Sequence, residues 1–128
     1  MNAERLAKNF TKLIEHADSA ERQRGLASFL ESQGFTYGER SADNILLLYA
    51  HFSAETLYRI LSSSLMTPSP DFALNAFERL AGVIPQEDLV EISRSKKTLS
   101  QFVLLCGSSP FLVSLMFKAP SAFRQLLL

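Results

Sequence analysis

The sequence predicts an all-α fold, a single domain of about eight short helices packed as irregular helical hairpins. Three observations carry that reading. Apolar residues recur at helical spacing along most of the chain, as in Leu6, Phe10, Leu13, Ile14 and Ala17. Helix-stopping and helix-starting residues fall between these stretches, most plainly at Gly34, Thr67-Pro68-Ser69-Pro70 and Ser109-Pro110. Strand signals are absent, because no alternating β-branched run exists and only four valines occur.

The first helix is expected over residues 3–17. Asp18-Ser19-Ala20-Glu21 then reads as a capping box for a second helix over residues 20–32, with Leu26, Phe29 and Leu30 buried and Gly34 as its stop. Residues 35–40 read as a loop containing Gly38. Ser41 or Asp43 is the expected cap of a third helix over residues 44–51. Ser53 caps a fourth, carrying Leu57, Ile60, Leu61 and Leu65.

Two prolines make residues 67–70 the strongest interruption and a weak sub-boundary, because each disfavours helix in the residue before it. Ser69 as N-cap and Pro70 in the first turn then open a helix that ends at Gly82. Pro85 opens a short helix through about Ile92, and Ser95 caps the next, with Leu99, Phe102, Val103 and Cys106 facing inward. Gly107 is expected as a left-handed cap, since a residue without Cβ takes positive φ at little cost. Ser109 and Pro110 repeat the capping device. Phe111, Leu112, Leu115 and Met116 form the expected apolar stripe, Pro120 ends that helix, and a last short helix covers residues 121–127.

A length of 128 residues with 47% hydrophobic and 20% charged side chains suits one domain with its own core. Thirteen basic and thirteen acidic side chains leave no excess charge to neutralise phosphates, which argues against nucleic-acid binding. No apolar run approaches the roughly 20 residues a membrane span requires. A single cysteine, Cys106, cannot form an intramolecular disulfide, and the charged amphipathic amino terminus is unlike a signal peptide. A cytoplasmic protein is the expectation.

Catalytic signals are missing. Metal-assisted chemistry on a triphosphate needs two carboxylates close together, yet Asp18, Asp43, Asp71 and Asp88 are scattered. Five separate glycines make no phosphate-binding loop. An anion at the Ser109 helix start is conceivable from the helix dipole, but plain capping is the preferred reading. Cys106 reads as a small buried hydrophobe, and His16 and His51 as ordinary helix residues without ligand spacing. No catalytic, cofactor or metal residue is therefore assigned within this chain.

Function enters through resemblance. Gly107, Ser109, Pro110 and Leu112, followed by Leu115, Lys118 and Pro120, resemble a signature of bacterial glutamine synthetase adenylyltransferases, the adenylyl-removing enzymes of the same family. The upstream run DFALNAFERL, from Asp71 to Leu80, resembles the helix that precedes that signature. The likeness covers residues 70–128. It implies a structural role for the signature residues, in an N-terminal helical segment ahead of the first catalytic domain.

The resemblance implies that the parent enzyme moves AMP from ATP to a tyrosine of glutamine synthetase and removes it by phosphorolysis. Two nucleotidyltransferase domains with Mg²⁺ do this under control of a PII signal protein and glutamine. For this chain it implies a non-catalytic module whose partners are the following nucleotidyltransferase domain and, through the parent, glutamine synthetase and PII.

The carboxyl end is strongly apolar, with Phe111, Met116, Phe117, Phe123, Leu126, Leu127 and Leu128. Such a tail either folds back into its own core or packs on a following domain, and the resemblance favours the second. A homodimer through the same face would be a natural consequence. The reading from a different class is a stand-alone helical protein-interaction domain using this apolar face.

Overall fold

Eight α-helices make up the computed structural model, which describes residues 3–121, 124 and 125; no strand occurs among them. In order these are α1 (Ala3–Ile14), α2 (Ser19–Gln33), α3 (Gly38–Leu48), α4 (Ala54–Ser64), α5 (Pro70–Ala81), α6 (Gln86–Ser93), α7 (Lys96–Ser108) and α8 (Pro110–Lys118). The all-α prediction holds.

Most boundaries are set by the expected local chemistry. Asp18 accepts a hydrogen bond from the Glu21 amide at 2.9 Å, and Ser53, Ser69 and Ser95 cap α4, α5 and α7 in the same way. Gly34 ends α2 at φ +126°, where its amide donates back to the carbonyls of Leu30 and Glu31. α1 stops at Ile14, three residues short of the predicted Ala17. The His16 ring there accepts a hydrogen bond from the Asp18 amide.

The core gathers residues from every helix. α1 lies against α2 and α4, α3 against α2 and α5, and α7 against α4, α5, α6 and α8. Sequential hairpins are thus present, but the central pair, α5 with α7, skips α6. Residues 67–70 do not divide the core, since Leu57 and Leu61 before them share one cluster with Leu74 and Phe77 after them. Two aromatic relays tie the layers. Phe29, Phe10 and Tyr58 join α2, α1 and α4, while Phe52, Phe77 and Phe102 join the α3–α4 connector to α5 and α7. Phe10, Phe77 and Phe102 are fully buried, each such burial contributing about 1.5–3 kcal/mol, and Phe29, Phe52 and Tyr58 pack half-buried against them.

Three expectations are corrected. α3 begins at Gly38 and not after Ser41 or Asp43, because its cap comes from another helix, as described below. Gly107 is not left-handed, since among the described glycines only Gly34 has positive φ, and α7 runs through Gly107 to Ser108. On α8 Met116 is buried as expected, but the other buried position is Val113, whereas Phe111 is 75% and Leu115 38% exposed. That helix is apolar on nearly every face, so spacing alone does not choose which stripe turns inward. The predicted last helix, residues 121–127, falls mostly outside the described residues; Arg124 and Gln125 are helical.

Candidate functional site

The signature residues build a sharp corner. α7 and α8 meet at 107° around Ser109. The Ser109 amide closes α7 by donating to the Leu105 carbonyl at 3.0 Å, and its Oγ accepts from the Leu112 amide at 3.2 Å to open α8. One residue therefore ends one helix and starts the next. Pro110 occupies the first turn of α8, where its missing amide hydrogen costs nothing. Ala119 has left the helical region before Pro120 (φ −139°, ψ 77°), as the proline ring favours, and its amide closes α8 on the Leu115 carbonyl. Lys118 is exposed in the last turn, the favourable end for a cation.

Gly107 lies where α7 crosses the start of α5. A Cβ there would stand 2.5 Å from Thr67 Cγ2 and 2.8 Å from Ala73 Cβ. Glycine is needed for close approach, not for backbone freedom. At the other end of α5, the Arg79 guanidinium sits 5.3 Å from the centre of the Phe117 ring, a cation–π contact joining α5 to α8. The two stretches carrying the family resemblance thus form one packed unit.

A second polar cluster was not legible in the sequence. Asp71 is buried in the first turn of α5, and its carboxylate accepts from the Thr36 amide at 2.7 Å, the Tyr37 amide at 3.0 Å and Ser41 Oγ at 2.7 Å. Tyr37, at the N-cap of α3, supplies no side-chain cap of its own, so Asp71 caps α3 from a different helix.

Asp88 is buried on α6 and pairs with Arg124 at 2.7 Å; Glu91 meets the same guanidinium at 2.9 Å. Glu91 first and Asp88 second hold Arg124 protonated above its usual range. This pair brings residue 124 back against α6. Cys106 is fully buried, and burial pushes its thiol up, away from the reactive thiolate. His16 is used locally, and His51 is exposed in the α3–α4 connector. Among the described residues no three His, Cys, Asp or Glu side chains gather as a metal site, and no single helix is long and apolar enough to cross a membrane. Among the described residues the two buried carboxylates both have structural partners: Asp71 caps α3 and Asp88 pairs with Arg124.

No protein-family model, curated protein or solved structure matches this chain.

Proposed function

We propose that this chain is a non-catalytic helical module from the N-terminal part of an enzyme that adenylylates and deadenylylates glutamine synthetase. One observation supports the reading above others. The two stretches that carry the resemblance, separate in sequence, pack as one unit through Gly107 against Ala73 and Arg79 against Phe117. A signature made of a glycine contact, a capping serine and a helix-opening proline is a geometric device, suited to fixing the direction of α8 and of whatever follows it. The module's role in this reading is to position the following nucleotidyltransferase domain. ATP and Mg²⁺ are used by the parent's catalytic domains, glutamine synthetase and PII are the parent's partners, and the cytoplasm is the compartment.

The test joins two measurements. Antibody raised against this chain should detect a species far above 14.3 kDa in the source cell. The isolated chain with ATP, Mg²⁺ and glutamine synthetase should transfer no labelled AMP. A band at 14.3 kDa alone, or AMP incorporation by the isolated chain, overturns the proposal.

A second reading, a stand-alone helical interaction domain, is favoured by the exposure of Phe111 and Leu115 on α8. It expects the small species and self-association through α8, read by sedimentation and abolished in Phe111→Ser/Leu115→Ser.

A further inference from the structure

A groove lies between α1, α4 and the start of α7. Two adjoining cavities of about 530 and 360 Å³ share Tyr58, Arg59 and Lys96 and together make it. Its floor is apolar, with Ala7, the Tyr58 ring and Met66, which is 75% exposed at one end. Its rim is basic. Lys8 and Lys12 line one wall, Arg59 the other, and Lys96 sits at the mouth of both cavities.

Two carboxylates also line the groove, but each is already engaged within its own helix. Glu4 pairs with Lys8 at 3.7 Å, and Glu55 with Arg59 at 2.6 Å. Lys12 and Lys96 have no ion-pair partner among the described residues. A chain of zero net charge therefore concentrates free positive charge around one apolar trough.

The occupant follows from what the walls offer. Most of the wall is the flank of α1 and α4, where backbone groups are paired within the helix and only the first amides of α7 are open, so a bound segment gains few main-chain hydrogen bonds and must satisfy its own. A helix does so. The floor asks for an apolar stripe, the exposed methionine suits adaptable contact with one, and the rim asks for carboxylates on its flanks. We infer that this groove docks an amphipathic, acidic helix of a partner protein. The site is independent of the signature corner, since Lys96 and Gly107 are roughly 16 Å apart along α7. Two free lysines are few for a phosphate backbone, and a concave trough fits a helix better than a flat bilayer does.

The test uses the intact chain and a fluorescein-labelled helical peptide of about five turns, with a leucine stripe at i, i+3, i+4 and i+7 flanked by glutamates. Fluorescence anisotropy should show binding that weakens as salt rises, and the counterpart with lysine flanks should bind at least about tenfold more weakly. Lys12→Glu/Lys96→Glu should lose about tenfold or more in affinity with unchanged circular dichroism, while Lys97→Glu, exposed outside the groove, should bind as wild type. Met66→Ser, also at an exposed position, tests the floor separately and should weaken binding without unfolding the chain. Equal binding of the two peptides, binding of neither, or indifference to both groove variants overturns the inference. Sedimentation with phosphatidylserine vesicles in place of peptide binding would assign the groove to a membrane and overturn it as well.

Discussion

Gly107 and Gly82 both have ordinary negative φ, yet adding a methyl group at each has opposite consequences. At Gly82 the nearest atom to a new Cβ is the Arg79 carbonyl oxygen at 3.4 Å, ordinary contact at the end of α5. At Gly107 the new atom meets Thr67 and Ala73 well inside contact distance. Thr67 has little freedom to move away, because it is buried and its hydroxyl donates to the Ser64 carbonyl at 2.6 Å. Alanine gains up to about 1 kcal/mol of helix propensity over glycine, while overpacking a fitted site costs about 1–3 kcal/mol. The second effect wins at Gly107. Gly107→Ala should lower unfolding stability by about 1–2 kcal/mol, and Gly82→Ala should be neutral or slightly stabilising. Urea unfolding of both variants decides it, since equal midpoints would mean that α5 and α7 do not cross as closely as these distances state.

At the scale of elements, α3 is the helix whose start depends on another helix. Asp71→Asn keeps the shape of the side chain but offers the Thr36 and Tyr37 amides one carbonyl oxygen where two carboxylate oxygens stood. Hydrogen bonds to a charged acceptor contribute about 1.5–3 kcal/mol, so the variant should lose about 2–3 kcal/mol. Amide exchange should quicken first at residues 36–41 and not at α5 itself, whose cap is Ser69. Uniform exchange along the chain would show that Asp71 does not act on α3. This helix also marks the limit of what the sequence discloses. Asp18, Gly34, Ser53, Ser69, Ser95 and Ser109 cap or stop helices through atoms within a few residues, and each was legible. The cap of α3 comes from a residue more than thirty positions away, and local spacing carries no trace of it. Gly107 was misread for the same reason, because what fixes it is the crossing of α5. α8 has too little polar contrast for periodicity to choose Val113 over Phe111 and Leu115, and of the expected stripe Met116 is the residue that is buried. The corner itself was legible, and the basic groove was not, since its walls come from three helices.

For the whole molecule, the pairing of α5 with α7 means that the middle of the core opens only when distant parts of the chain separate. Cys106 reports on this directly. Its side chain is fully buried on α7, and burial raises the thiol away from the thiolate that reacts with disulfide reagents. Phe77, on α5, stands between Phe52 and Phe102 at ring distances of 5.9 and 5.3 Å, so it joins the same central pair. Labelling of Cys106 by a disulfide reagent should therefore be slow in the native chain and should accelerate with urea as unfolding does. Phe77→Leu removes the middle ring while keeping the site apolar, and should cost about 1–2 kcal/mol. When opening and closing are faster than reaction, the labelling rate follows the open population, so this loss should raise it by roughly five- to thirtyfold. Agreement between that acceleration and the stability loss measured by urea would mean that Cys106 is reached only through global opening. Fast labelling of the native chain, unmoved by Phe77→Leu, would mean that α7 detaches alone, with α5 no longer its central partner.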